Sequence, residues 1–211
     1  MYICIIKLLI MIQLTAIITG DLINSRQLKP KIWLPVLEQS IKLYASKSDI
    51  YRGDSFQIEV EIAKAIECVF YIKAALKTLK NIDVRMAIGI GAKDFKNKDI
   101  KKSNGEAFLN SGEAFENLKK ETIGIKTPWP EATEMCKIML ELASQIADGW
   151  SENIANSVKV AFENPGKNQQ DLAEILHKKY QSQVSTELTK AGFNKISKTI
   201  DFCTKTLIAR C

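Results

Sequence analysis

Apolar positions along the first half of the chain change period repeatedly, and each change marks an element. Gln13 to Thr19 is almost continuously apolar and predicts a central strand that ends at Gly20. From Lys29 to Tyr44, residues Trp33, Leu37, Ile41 and Tyr44 recur at spacings of four, four and three, one face of an amphipathic helix whose first turns accommodate Pro30 and Pro35. Phe56, Ile58 and Val60 then alternate with Gln57 and Glu59, the period of a half-buried strand paired with Asp49 to Arg52 across the Gly53-Asp54 turn. Helical spacing returns at Ile62, Ile66, Val69, Ile72 and Leu76. Val84 to Ile90 reads as a further strand. After a polar loop at Asp94 to Ser103, the residues Ala107, Ser111 and Ala114 give a helix a small, closely packing face. An edge strand follows near Thr122 to Lys126.

This order of strand, helix, hairpin, helix, strand, helix and strand predicts an α+β fold: a ferredoxin-like palm, with an antiparallel sheet and its helices on one face. Thr127-Pro128-Trp129-Pro130 places a domain boundary, since two prolines in four residues continue neither element type. Residues 11–127 then form the palm-like domain, residues 1–10 an extension, and residues 131–211 a helical domain. Glu131 to Ile146 carries Met135, Ile138, Met139, Leu142 and Ile146 on one face, a candidate homodimer surface with packing inside the monomer as the alternative. Ser151 to Phe162 is the next helix. Residues 168–192 resemble a helix-turn-helix: Ala173 is small where two helices cross, Leu172, Leu176, Val184 and Leu188 are its core, and His177 stands where the turn usually carries glycine.

Composition changes this picture little. At 211 residues with 46% hydrophobic and 26% charged residues, the chain is ordinary globular protein, and a net charge of +6 permits nucleic-acid binding without requiring it. Five scattered cysteines (Cys4, Cys68, Cys136, Cys203, Cys211), no CxxC pair and one histidine speak against structural zinc or a disulfide framework and for a cytoplasmic location. Met1 to Ile18 is apolar except for Lys7, but it is short for a membrane span and lacks a small-residue cleavage motif. No stable membrane insertion is expected, and the fold is expected to begin near Met11.

Chemistry concentrates at two places. Asp21 and Asp54 each follow an apolar run at a glycine turn, so both carboxylates fall at strand ends, and a carboxylate pair there suggests a divalent metal and a phosphate ligand. Either aspartate could instead cap a helix or close an Asx-turn. Gly89 and Gly91 are not a dinucleotide fingerprint, because Asp94 replaces the third glycine. The blocks Ile18-Thr-Gly-Asp21-Leu-Ile-Asn-Ser-Arg26, Arg52-Gly-Asp54-Ser-Phe-Gln57, Val84 to Gly91 and Asn104-Gly-Glu-Ala-Phe108 together resemble the SatD family of bacterial proteins, from about Met11 over most of the chain. They also resemble the palm of class III nucleotidyl cyclases and of GGDEF domains. That resemblance implies that Asp21 and Asp54 hold Mg2+ and that the backbone amides of Leu22, Ile23, Asn24 and Ser25 approach the phosphates of a nucleotide. The chain departs from it at Arg52 and Ser55 in the hairpin. It departs again at Glu113, which stands where cyclases carry a transition-state arginine, so cyclase-type catalysis is not implied.

The second place is the helix-turn-helix-like segment. Its second helix would present Gln181, Ser182, Gln183, Ser185 and Thr186 to base edges, while Lys178, Lys179 and Lys190 would neutralise phosphates. The combined expectation is a DNA-binding transcriptional regulator whose palm domain senses a nucleotide or phosphate ligand. The alternative is a nucleotide-processing enzyme whose helices serve dimerisation.

Overall fold

The computed structural model describes residues 14–93 and 104–211. Expectations placed on residues 1–10, on a start near Met11 and on the 94–103 loop fall outside the described residues. The chain runs β1 (Leu14–Ile23), α1 (Pro30–Tyr44), β2 (Lys47–Tyr51), β3 (Ser55–Val60), α2 (Ile62–Leu76), β4 (Asp83–Ala92), α3 (Glu106–Glu116), β5 (Ile123–Lys126), then α4 (Pro130–Asp148), α5 (Glu152–Glu163), α6 (Gln169–Ile175), α7 (Gln181–Lys190) and α8 (Phe193–Ile208). The class is mixed α+β.

The five strands form one sheet in the order β2-β3-β1-β4-β5. β1 lies between β3 and β4 and is antiparallel to both, and β2 is antiparallel to β3. β5, however, runs parallel to β4, so the sheet is mixed rather than wholly antiparallel. Parallel neighbours need a crossover, and α3 supplies it. Helices also occupy both faces rather than one. Ala16, Ile18, Phe56, Ile58, Met86 and Ile88 point into the core with α1 and α2, whereas α3 lies against the opposite face, over Gly89 and Gly91.

Those two glycines set how closely α3 can approach. A Cβ on Gly89 would stand 2.1 Å from the Ser111 backbone nitrogen and 2.2 Å from the Ala107 carbonyl oxygen. The glycines that fail as a dinucleotide motif are therefore a packing device, matched by Ala107 and Ser111 on the helix.

α2 is the centre of the molecule. From Cys68 to Leu76 every side chain is buried, so the helix is enclosed on all sides. One face meets the sheet and another meets α5 and α8. Buried residues of the sheet, α1 and α2 join those of α4, α5 and α8, among them Cys136, Leu140, Val158 and Leu207, in one contiguous cluster. Thr127 to Pro130 is the short connection from β5 to α4. Thr127 is buried and its hydroxyl accepts from the Trp129 N–H at 3.1 Å. Among the described residues, no helix is long and apolar enough to cross a membrane.

Candidate functional site

The sheet brings the two expected carboxylates to one end. Asp21 pairs with Ser55 across β1 and β3, one residue after Asp54, and the Leu22 N–H donates to the Asp54 carbonyl at 3.2 Å. Beyond β1 the chain turns sharply at Asn24, whose φ of 63° is left-handed, and enters a single 3-10 turn at Ser25–Gln27. The expected phosphate cradle is thus partly committed to the fold. The Leu22 amide is taken by Asp54, Ile23 is paired with Asp83 of β4, and the Asn24 side-chain amide donates to the Asn81 carbonyl at 3.0 Å. Ser25 is buried, and its hydroxyl donates to Asp54 Oδ2 at 2.5 Å.

Asp21 has a stronger partner that sequence reading did not anticipate. Arg85, directly opposite on β4, donates from Nε to Asp21 Oδ1 at 2.7 Å and from Nη2 to Oδ2 at 2.8 Å. This planar two-point pairing engages both carboxylate oxygens. The guanidinium also lies over the Phe115 ring, 5.0 Å from its centroid, a cation–π contact from α3. As arranged, the carboxylates do not fit a Mg2+ site. Arg85 places a positive charge on the oxygens a cation would need, Asp54 is hydrogen-bonded to Ser25, and no group of three or more His, Cys, Asp or Glu among the described residues could hold a metal ion.

Cross-strand partners project from the same face, so Tyr51, Ser55, Asp21 and Arg85 form a row across four strands. A second row runs behind it, where Gln57 donates to the Thr19 hydroxyl at 3.1 Å and Thr19 meets the Ser111 hydroxyl of α3 at 3.1 Å. α3 packs on β1, β4 and β5, so among the described residues it leaves this polar surface uncovered over β2 and β3. Burial pushes the Tyr51 hydroxyl pKa up against the opposing Arg52 charge, and the Asp49 and Asp21 carboxylates push it further, so Tyr51 is a stable proton donor there. On α3, Asn110 is buried and donates to the Ile90 carbonyl at 2.7 Å, while Glu113, at the position compared above with the cyclase arginine, pairs with Lys126.

The α6–α7 segment is built as a tight helix pair. Asn168 caps α6, accepting from the Gln170 and Asp171 amides at 2.8 and 3.0 Å, and the Asp171 carboxylate in turn accepts from the Asn168 N–H at 3.4 Å. Leu172, Ala173 and Val184 are buried together with Val160 and Ala161 of α5, and Leu176 and Leu188 pack on them. His177 takes the left-handed conformation, φ 52°, after the last turn of α6. The Lys178 amide then reaches back to the Ala173 carbonyl at 2.8 Å and the His177 amide to that of Glu174 at 3.1 Å, closing a Schellman turn with histidine in the glycine position.

Gln181, Ser182, Gln183, Thr186, Lys179 and Lys190 are exposed on one side of this pair, and Ser185 is half-buried. Gln183 also accepts from the Tyr180 amide at 3.2 Å, capping α7, and Gln181 donates to Gln169 at 3.2 Å. Lys178 is turned inward, its ammonium 2.5 Å from Glu187, a carboxylate that also takes the Ser157 hydroxyl. It is a strut within the helix pair, not a free phosphate contact. The helix α8 that follows was not picked out from the sequence, although Ile196, Ile200, Cys203 and Leu207 recur at spacings of four, three and four.

Sequence reading also passed over Lys73. It is fully buried on α2, with its ammonium 2.7 Å from Asp83 and 2.7 Å from Asp148, while Lys77 pairs with Asp83 at 2.9 Å and donates to the Asp148 carbonyl at 2.9 Å. Its only signal is a lysine on the apolar side of a helix. No protein-family model and no curated protein matches the chain.

Proposed function

We propose that the chain is a DNA-binding regulator whose α6–α7 pair reads DNA and whose sheet, a ferredoxin-like palm, receives a nucleotide or related phosphate ligand at the Asp21 end. The observation that carries the DNA reading is the outer side of the α6–α7 pair. A polar first turn of α7, with Gln181, Ser182, Gln183 and Thr186 exposed, stands over a crossing as close as Ala173 permits. Lys179, whose ammonium lies 5.1 Å from the Tyr180 ring centroid, and Lys190 flank it as exposed cations for phosphates. The palm reading is supported by the strand order β2-β3-β1-β4 and by the helix connections between these strands.

The test is retention of mixed-sequence duplex DNA across a salt series, comparing the full chain with a Lys179→Ala, Gln181→Ala, Lys190→Ala variant and with Lys178→Ala. Retention should weaken with salt. The triple variant should bind more weakly, with a log-log salt slope reduced by about two, one for each lost phosphate contact. Lys178→Ala should lower stability more than the salt slope, because its ammonium is engaged by Glu187. Salt-independent retention, or equal retention by the triple variant, sinks the reading.

The enzyme alternative draws on the register that brings Asp21 beside the Asp54 turn. It predicts turnover of nucleoside triphosphates with magnesium, abolished by Asp21→Asn.

A further inference from the structure

We infer that the sheet end takes the phosphate of its ligand directly on Arg85, and that Asp21 is the internal carboxylate occupying that guanidinium until the ligand displaces it. This rests on the reading above that the ligand carries a phosphate. It reverses the role expected for Asp21, which becomes a competitor of the ligand rather than a holder of its metal.

Three observations point this way. The Arg85 guanidinium offers the two-point donor geometry that suits a carboxylate or a phosphate alike, and Asp21 fills it through both oxygens at 2.7 and 2.8 Å. The Arg85 side chain is nevertheless 42% exposed, so an anion can reach it from solvent, and Phe115 of α3 supports it through a cation–π contact at 5.0 Å. Finally, the row in which the pair sits ends in donors. The hydroxyls of Ser55 and Tyr51 lie on the same face of the next two strands and make no hydrogen bond to the described residues. A phosphate on Arg85 would thus meet hydroxyl donors along the row, and the carboxylate that occupies its donors is Asp21; Asp49, on the same face, lies one row back, opposite Gln57. Asp54 turns one oxygen to Ser25, away from this exchange.

The two roles for Asp21 predict opposite signs for one substitution. If Asp21 competes with the ligand, Asp21→Asn frees Arg85 and tightens anion binding; if Asp21 holds a metal, the same change abolishes it. The experiment is calorimetric titration of the full chain with inorganic pyrophosphate, in EDTA and again in magnesium, for the parent protein, Asp21→Asn, Arg85→Ala and Arg85→Lys. Thermal unfolding of each variant confirms that it is folded. The expected result is binding that survives EDTA, tightens by about fivefold or more in Asp21→Asn because the competent state is no longer masked, is lost in Arg85→Ala, and is weakened in Arg85→Lys, which keeps the charge but not the fork. Magnesium-dependent binding abolished by Asp21→Asn overturns this inference while sustaining the phosphate reading on a metal. Undiminished binding by a folded Arg85→Ala protein overturns it in favour of diffuse attraction to surface lysines. Absence of pyrophosphate binding in every form and both buffers overturns the phosphate reading itself, and this inference with it.

Discussion

Glycine and lysine residues that carry no chemistry set the geometry on which the polar sheet face depends. Gly89 is the sharpest case, because the atoms a side chain would meet are backbone atoms of α3, at 2.1 and 2.2 Å, and cannot swing away. Gly89→Ala should therefore push α3 off β4 and cost about 2–3 kcal/mol, as overpacking of a close contact does. Because α3 carries Ser111 and Phe115, the same shift would loosen the Thr19–Ser111 contact and the stacking on Arg85. Urea unfolding checks the first consequence, and a fall in pyrophosphate affinity without any change at Arg85 or Asp21 checks the second. An unchanged midpoint would show that α3 has slack that the structure denies it.

At the scale of elements, periodic burial was legible and pairwise side-chain chemistry was not. α1, α2, β3, β4 and β5 lie within a few residues of where the apolar period places them, because each has one face or more in the core. The side of the sheet taken by α3 was hidden, since a small-residue face says how close a helix comes but not to which surface. Asp21 and Asp54 could be placed at one sheet end from the order of elements. Arg85 could not be matched to Asp21 without the β1–β4 register, which spans 64 residues of sequence. The α6–α7 pair was legible from Ala173 and the apolar spacing, and its turn yields a prediction. His177 holds a left-handed φ of 52° at the glycine position of the Schellman turn. His177→Gly should stabilise the protein by about 0.5–1 kcal/mol by relieving that strain. Asn168→Ala, which removes the cap at the other end of α6, should cost about 1 kcal/mol. Thermal unfolding measures both. A destabilising His177→Gly would mean that the imidazole makes a contribution beyond the turn.

For the molecule as a whole, Lys73 decides how the sheet and the later helices hold together. A buried ammonium is costly to desolvate and is tolerated only when paired. Lys73 is paired twice, with Asp83 at the start of β4 and with Asp148 at the end of α4, and its ammonium also reaches the Thr122 hydroxyl before β5 at 3.3 Å. One side chain on the central helix thus ties together segments spread over the sheet and the helical half. Lys73→Met keeps the apolar stem but strips both carboxylates of their shared cation. The cost should be about 3 kcal/mol, at the low end for breaking a buried pair, because Asp83 keeps Lys77 and Asp148 is partly solvated. Since the contiguous core around α2 is untouched, unfolding should stay a single transition, coincident by far-ultraviolet circular dichroism and by tryptophan fluorescence, which reports Trp33 in α1, Trp129 before α4 and Trp150, whose indole N–H donates to the Ala191 carbonyl at the end of α7. If the two signals separate in Lys73→Met, the buried ion network rather than the shared apolar core couples the halves. If they separate already in the parent protein, the sheet and the helices fold as independent units, and the ends proposed to read DNA and to bind a phosphate would have no cooperative path between them.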